Sequence, residues 1–330
     1  MNSFKNLKKT FLIAEIGNNH EGSYKNAIKL IDEAKVSGAD AVKFQTFYTE
    51  DFINKLEAKR FAKLKSFELS KEDFRKLSIY SKKKGLKFIS TPFDMGSAKF
   101  LSKLVDVFKI SSGDNNFYEL IKFCASFKKP LIISTGMLNF LEIKNILKLL
   151  DKIKFPRKKL AFLHCVSDYP VEDKEANLLS IKYLKDKLPV TIGYSDHVIG
   201  DESCIVAASF GAKIIEKHFT LKNNFSNFRD HLLSLNPKDM KKMVIKIRKV
   251  ESMLGSYKKM ISKNELKNFK LMRRSLYFTQ DIHKGTILKK KHFKIVRPFK
   301  KFGPQDIKKF LGKKLKKNVK DSDIVTDRLI

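Results

Sequence analysis

Basic and hydroxyl side chains recur where short apolar runs of this sequence end. Lys43 and Lys109 lie in two such runs, Ser112 lies at the end of the run that contains Lys109, and Ser134 and Ser195 lie at the ends of two others. Two lysines among several hydroxyls suit a small ligand that carries both a phosphate and a carboxylate, because ammonium groups supply charge while hydroxyl and backbone N–H groups complete the hydrogen bonds. The pattern predicts a binding site for such an anion.

Two histidines, His197 and His218, stand at the ends of neighbouring apolar runs. Imidazoles with a nearby carboxylate and open water positions suit a catalytic divalent metal, although a single histidine is more often structural, so both interpretations stand at this point. Cys165 follows His164 but has no other sign of activation, and we interpret it as packing or pocket wall.

The apolar runs alternate with amphipathic helical patterns from about Thr10 to about Gly255. Their largely apolar centres are typical of parallel strands covered on both faces. Eight strand–helix units in about 245 residues predict a (β/α)8 TIM barrel, whose strands bring their carboxyl ends to one face, where catalytic residues lie. An open doubly wound sheet is the alternative, but no glycine-rich dinucleotide fingerprint follows the first strand. The strands are predicted at TFLIAEIG, DAVKFQTF, LKFISTPF, VFKISSGD, PLIISTGM, LAFLHCVS, VTIGYSDH and KIIEKHFTL.

The sequence changes character after Gly255. We expect a barrel domain over 1–255, a lysine-rich linker over 256–272, and a small β-rich domain over 273–330 built from short β-like pieces around turns. So small a module has a limited core of its own, and docking against a barrel would help it.

The net charge of +34 comes almost entirely from lysines that are spread over every helical pattern. Arginine, which reads bases and binds phosphates bidentately, is scarce, so we expect a solvated surface and no nucleic-acid partner. No run of about eighteen apolar residues occurs, and the N-terminal segment is interpreted as a first strand, so we expect no membrane partner and a cytoplasmic location. The three cysteines are far apart and form neither a disulfide framework nor a metal motif.

At these strand ends the sequence resembles the N-acetylneuraminate (sialic acid) synthase family. The resemblance covers the whole barrel, and the tail from SLYFTQDIHKGTIL through VRP and LGKK resembles the antifreeze-like (SAF) domain that ends these enzymes. It implies a TIM barrel with a C-terminal SAF domain. The segments that carry it are AEIGNNHEG, ADAVKFQT, ISTPFD, FKISSGDNN, ISTGM, LHCVSDYP, IGYSDH and IEKHFT.

The resemblance implies a metal-dependent condensation of phosphoenolpyruvate with an N-acetylated amino-sugar aldehyde to a nine-carbon 2-keto sugar acid, with release of phosphate by C–O cleavage. The metal is expected to be Mn²⁺, with Mg²⁺ and Co²⁺ as alternatives, bound by His197 and His218. Glu15 matches the catalytic glutamate. Arg297 matches an arginine that reaches the sugar of a partner subunit, which implies a domain-swapped homodimer. Phosphoenolpyruvate is assigned to Lys43, Lys109, Ser112, Ser134 and Ser195, and the sugar to Gln45, Tyr169, Glu216 and Asp230.

Some positions depart from the family pattern. Ser111 replaces a common glycine, Asp114 a common glutamate, and Ser167 an asparagine that some members place beside the substrate. The segment over 47–69, which contributes to the sugar pocket, is shorter than expected. The strand-four motif favours neuraminate or legionaminate synthases over pseudaminate synthases.

Three alternatives remain. The first is another phosphoenolpyruvate-condensing ulosonate synthase that uses a sugar phosphate; it would need extra basic residues for the acceptor's phosphate, and the SAF-like tail argues against it. The second is a lysine-rich nucleic-acid-binding protein, and the third is an inactive partner-binding protein. Both are disfavoured by the intact set of Glu15, Lys43, Lys109, His197 and His218.

Overall fold

The computed structural model describes residues 3–330 and divides into two compact units, Met1–Gly255 and Ser256–Ile330. Within the described part of the first unit, eight parallel strands form a closed barrel in which each strand pairs with its sequence neighbours and the eighth pairs with the first. This confirms the predicted (β/α)8 barrel. The strands are β1 Phe11–Gly17, β2 Ala41–Thr46, β3 Lys87–Pro92, β4 Val107–Ile110, β5 Leu131–Ser134, β6 Leu160–Cys165, β7 Thr191–Asp196 and β8 Ile214–His218.

Helices connect the strands and cover the outside of the barrel, and their apolar stripes pack on the outward side chains of the strands. Gly38 and Gly85, with φ of +88° and +75°, come directly after the C-caps of two of these helices, where glycine adopts the left-handed conformation without strain. The helices of the first unit are α1 Tyr24–Val36, α2 Thr49–Phe52, α3 Ala58–Phe67, α4 Lys71–Lys83, α5 Met95–Leu101, α6 Tyr118–Ser126, α7 Phe140–Lys152, α8 Leu179–Lys187, α9 Glu202–Ser209, α10 Asp230–Leu233 and α11 Pro237–Leu254.

The barrel interior has an apolar lower layer and a polar upper layer. On β1 the buried Ile13 is followed two residues later by Glu15, and on β2 Ala41 is followed by Lys43. Because alternate residues of a strand share a face, the lower residues fill the barrel while the upper ones meet at its carboxyl end. Gly193 of β7 is required by this packing, since a Cβ there would lie 2.4 Å from the carbonyl oxygen of Ile214.

The second unit contains helix α12 (Lys263–Met272) and an antiparallel pair, β9 (Ser275–Phe278) and β10 (Phe293–Val296). This unit has a small hydrophobic core of its own, which includes Leu276, Phe278 and Phe310. Helix α12 occupies the segment in which the sequence suggested only a linker. Among residues 3–330, none of the helices combines the length and apolar character that a membrane crossing requires.

Candidate active site

Two lysines and two glutamates form a buried charge cluster at the carboxyl end of the barrel. The Lys43 Nζ lies 2.8 Å from Glu15 Oε1 and 3.8 Å from Glu216 Oε1. Glu216 Oε1 also accepts hydrogen bonds from Lys109 Nζ at 3.1 Å and from Ser195 Oγ at 3.0 Å. Strand pairing sets this arrangement, because Glu15 lies opposite Lys43 and Ser195 lies opposite Glu216. The structure therefore brings five of the predicted residues into one cluster.

The two glutamates differ in their titration. Burial raises the pKa of Glu15 to about 7, even though Lys43 draws it downward. Burial acts in the same direction on Glu216, but Lys109 and Lys43 outweigh it and hold the pKa of Glu216 below its usual value. Burial also lowers the pKa of Lys109, despite the attraction of Glu216. Glu15 is therefore the carboxyl group of this cluster that exchanges a proton near neutral pH.

Serine hydroxyls pack closely around Gly136 at the carboxyl end of the barrel. Gly136 N donates to Ser112 Oγ at 3.2 Å, and a Cβ at Gly136 would lie 2.7 Å from that oxygen and 2.2 Å from Ser167 Oγ. The buried oxygens of Ser134 and Ser167 have no hydrogen-bond partner within residues 3–330. Glycine at 136 thus lets the hydroxyls approach the backbone closely, and those of Ser134 and Ser167 remain able to donate to an anion.

Partnerless buried polar atoms gather at this end of the barrel. Buried polar groups are normally hydrogen-bonded, and a cluster of exceptions marks a place where a bound molecule supplies the missing partners. Within the described residues the atoms at the site without a partner are Glu15 Oε2, Asn18 Oδ1, Ser134 Oγ, Ser167 Oγ, Glu216 Oε2, His218 Nδ1 and Asp230 Oδ1.

His197 and His218 lie side by side, with ring centroids 5.4 Å apart. The Nδ1 of His197 is 2.7 Å from the Val166 carbonyl oxygen, so this nitrogen donates and Nε2 is the nitrogen available to a metal, as is common for histidines that bind metals. Burial lowers the pKa of His197, but the hydrogen bond and charge of Cys165 outweigh it and raise that pKa above its usual value, so metal binding would displace a proton from the ring. Burial and the neighbouring His197 lower the pKa of His218 well below its usual value, so His218 is neutral and can act as a ligand. Residues 3–330 contain no group of three or more His, Cys, Asp or Glu placed to hold one ion. The two imidazoles alone would leave the other coordination positions of a metal to water or substrate.

A cavity of about 1030 Å³ opens above the cluster. Of the residues predicted to bind the sugar, Gln45, Tyr169 and Asp230 line it, while Glu216 lies in the cluster below. Ser112 and His218 also reach this cavity.

The sequence did not reveal an aromatic and basic wall on one side of this cavity. Phe67 of α3 packs edge-on against Phe228, with centroids 5.2 Å apart, and Lys63 lies over the Phe228 ring at 5.0 Å. These residues carry no strand-end signal, because a helix and a loop supply them. The cavity is also lined by Phe52, Arg60, Leu64, Phe93, Phe117 and Arg229.

Arg297 belongs to the second unit, where its Nε donates to the Met272 carbonyl oxygen at 2.6 Å. His164 does not join the histidine pair, since its Nε2 lies 2.9 Å from the Ala176 carbonyl oxygen. Cys165 is buried, with its sulfur 3.8 Å from His197 Nδ1, and the three cysteines are free.

A TIM barrel whose strand ends gather buried lysines, carboxylates and histidines around a large cavity has the architecture of an enzyme. The NeuB family model matches residues 30–259 and the SAF domain model matches residues 273–328. The chain therefore belongs to the NeuB family, and it is an enzyme of the sialic acid synthase type.

Individual relatives agree over nearly the whole length. The chain is 37% identical to an N,N'-diacetyllegionaminic acid synthase from Campylobacter jejuni, over 97% of this chain and 100% of the relative. It is 35% identical to a pseudaminic acid synthase from the same species, over 97% and 96%. The crystal structure of an N-acetylneuraminic acid synthetase from Leptospira borgpetersenii, in complex with citrate, superimposes with a TM-score of 0.75 and 34% identity, over 79% of this chain and 90% of that one.

Proposed function

We propose that this enzyme condenses phosphoenolpyruvate with an N-acetylated amino-sugar aldehyde, either N-acetylmannosamine or a diacetylated 6-deoxy analogue, to a nine-carbon 2-keto sugar acid. Carbon 3 of phosphoenolpyruvate attacks the aldehyde carbon, water adds at carbon 2, and phosphate leaves with its bridging oxygen. The observation that carries the proposal is the pair of buried lysines, Lys43 and Lys109, beside hydroxyl groups and partnerless buried atoms at the carboxyl end of the barrel.

Phosphoenolpyruvate would bind to the lysines and the serine hydroxyls. The ammonium groups of Lys43 and Lys109 offset its charge in a buried setting where electrostatic interactions are strong. Its phosphate group would accept hydrogen bonds from the hydroxyls of Ser112 and Ser134. Ser195, whose hydroxyl donates a hydrogen bond to Glu216, is the remaining residue proposed to bind phosphoenolpyruvate.

Glu15 would act as the general acid and general base of the reaction. The aldehyde oxygen must gain a proton as the new bond forms, and the water that adds at carbon 2 must lose one. A carboxyl group with a pKa of about 7 can donate or accept under neutral conditions, which is the condition for efficient general acid–base catalysis. Lys43, 2.8 Å away, stabilises the carboxylate whenever the proton is absent.

His197 and His218 would hold the divalent metal, for which we propose Mn²⁺, with Mg²⁺ and Co²⁺ as alternatives. When bound, the metal would polarise the aldehyde oxygen and offset the negative charge of the ligand. Glu216 and the ionised form of Glu15 offset part of the positive charge of Lys43 and Lys109, so a polyanionic ligand would gain from this additional positive group.

The cavity above the cluster would hold the amino sugar. Gln45, Tyr169, Asp230 and the neighbouring Glu216 supply polar groups for its hydroxyls and amide, and the aromatic wall suits the methyl groups of acetyl or 6-deoxy positions.

We also propose that the domains are 1–255 and 273–330 with a connecting segment over 256–272. In a domain-swapped homodimer, Arg297 would serve the site of the second copy. The cytoplasmic location stays a prediction.

A second candidate is a synthase that accepts a sugar phosphate. One observation favours it: Arg60 and Lys63 line the cavity, and Arg60 forms no ion pair within residues 3–330. Lys63, however, lies over the rings of Phe67 and Phe228. The two candidates differ in whether the acceptor carries its own phosphate.

The test is phosphate release from phosphoenolpyruvate with Mn²⁺, run in parallel with N-acetylmannosamine, diacetylated 6-deoxy amino sugars and arabinose 5-phosphate. Release that depends on metal and on one unphosphorylated amino sugar supports the proposal. Lys109→Met should then abolish it, while Lys122→Met, which changes a half-buried lysine on α6, should not. Release with the sugar phosphate alone, lost in Arg60→Ala, would establish the second candidate. No release with any acceptor from folded, metal-loaded protein would refute both.

A further inference from the structure

A fully buried ion pair lies directly behind the two histidines. Asp196 ends β7 and Lys217 is the next-to-last residue of β8, and the two are paired in register. Their charged atoms are 2.7 Å apart, and neither side chain has any exposed surface. Each residue immediately precedes one histidine, His197 or His218. Since side chains alternate along a strand, the ion pair faces the surrounding helices while the histidines belong to the opposite face.

The carboxylate of Asp196 is saturated with hydrogen bonds from three directions. One oxygen accepts from Ser203 Oγ at 2.8 Å and from Cys204 Sγ at 3.3 Å, both at the start of α9. The other accepts from the Tyr194 hydroxyl at 2.8 Å and from the backbone N of Val198 at 3.0 Å. These contacts join the end of β7, the chain just after His197 and helix α9 into one rigid unit.

Lys217 links the eighth strand to the same unit. Its Nζ donates to the carbonyl oxygen of Val198 as well as to Asp196. Val198, the residue after His197, is thus held by Asp196 through its backbone N–H and by Lys217 through its carbonyl oxygen. The ends of β7 and β8, which carry the two histidines, are therefore fixed to each other through side chains and not only through the strand ladder.

Stability alone does not account for this ion pair. A buried ion pair is commonly matched or exceeded in stability by apolar residues of similar shape, because desolvation offsets the attraction between the charges. Neither Asp196 nor Lys217 lines the reaction cavity, so neither contacts a substrate there. A pair that is costly to bury and remote from substrate, yet adjacent to both metal-binding candidates, points to a role in geometry.

We propose that Asp196 and Lys217 are positioning residues that fix the separation of His197 and His218 for metal binding, an inference that rests on the proposed function. Two imidazole nitrogens about 2.1 Å from one ion lie roughly 3 Å apart. A displacement of about 0.5 Å is enough to impair such a site. The hydrogen-bonded unit limits displacement along and between the two strands that hold the rings, which lie 5.4 Å apart between centroids.

The experiment measures binding of Mn²⁺ alone, without substrates, from the electron paramagnetic resonance signal of free Mn²⁺, together with the absorption spectrum of bound Co²⁺. The test variant is the double substitution Asp196→Asn with Lys217→Met, which removes both charges and nearly keeps both shapes. Lys217→Arg keeps the charge. The control, Asp201→Asn with Lys246→Met, removes a more exposed ion pair of 2.9 Å that links the N-cap of α9 to α11 and does not adjoin the histidines. Urea unfolding is followed for each variant.

The double variant is expected to bind Mn²⁺ about tenfold or more weakly and to shift the Co²⁺ spectrum, while its urea midpoint stays near that of the wild type. Lys217→Arg should retain most of the wild-type affinity for Mn²⁺, and the control variant should not change that affinity. Wild-type affinity and an unchanged spectrum in the double variant would overturn the inference. If the double variant does not fold, Ser203→Ala, which removes one donor to Asp196, should weaken Mn²⁺ binding a few-fold, and unchanged affinity there would overturn it as well. Absence of Mn²⁺ binding in the wild type would instead refute the metal-dependent function itself.

Discussion

The carboxyl group of Glu15 has a pKa of about 7 in the folded chain, compared with an ordinary value of 4.5, because its burial outweighs the attraction of Lys43. Between these two pH values the folded chain holds a proton that the unfolded chain has released. The free energy of unfolding therefore falls as pH rises through this window and stays lowered above it. At about 1.4 kcal/mol per pKa unit, the rise corresponds to a loss of about 3 kcal/mol.

Glutamine has the shape of the protonated acid and does not titrate. We therefore expect Glu15→Gln to match the wild type in stability near pH 4.5 and to exceed it by about 3 kcal/mol at pH 8.5. The same change should lower phosphate release by about a hundredfold or more, because the proton carrier is lost. Such an opposition between stability and activity is expected where an active site keeps a charged group in an unfavourable place.

Urea unfolding of substrate-free protein at pH 4.5, 6 and 8.5 measures the stability part, with Glu119→Gln, an exposed carboxylate on α6, as the control that should show no growing difference. If Glu15→Gln is less stable than the wild type at pH 8.5, the ion pair with Lys43 outweighs burial and the reasoning fails. If the variant is more stable but turns over normally, the titration is right and the catalytic assignment is wrong.

Three further changes test other parts of the site and the barrel. Lys109→Met leaves the buried Glu216 without its nearest cation, at 3.1 Å, and should lower the free energy of unfolding by about 3 kcal/mol in urea while abolishing phosphoenolpyruvate binding in calorimetry. Gly136→Ala places a Cβ 2.2 Å from Ser167 Oγ and should weaken phosphoenolpyruvate binding about tenfold or more by displacing the hydroxyls. Gly113→Ala, whose Cβ meets only Ser111 Oγ at 3.6 Å, should leave that affinity unchanged. Gly193→Ala puts a Cβ 2.5 Å from Leu163 Cδ2 and against the backbone of β8, so thermal unfolding should reveal a loss of about 1–3 kcal/mol; an unchanged melting temperature would contradict the packing described for the barrel interior.

The barrel and the lower part of the site were predictable because both follow from strand periodicity. Once β1 and β2 are placed, inward positions are separated by two residues, so Glu15 and Lys43 must meet above Ile13 and Ala41. The paired polar ends of the other strands follow by the same rule. Strand pairing then sets the neighbours of each polar group.

The wall of the cavity was not predictable in this way. Phe67 and Phe228 are 161 residues apart and meet through a helix and a loop whose paths no local pattern determines. Helix α12 is a different case, because Ser262 and Glu265 form a capping box whose S-x-x-E spacing is visible in the sequence. The sequence therefore did contain a helix signal, but the abundance of lysine around it favoured the interpretation as a linker.

Closure of the barrel has a consequence for when the protein can act. Glu15 lies opposite Lys43 on one side and opposite His218 on the other, because β1 pairs with both β2 and β8. A nascent chain that has emerged only as far as β7 already contains Glu15 and both lysines. It lacks Glu216 and His218, however, and it has no strand to pair with the free edge of β1. The charge cluster and the histidine pair are therefore completed late in synthesis, when the eighth strand docks, and fragments that end earlier should neither bind nor consume substrate.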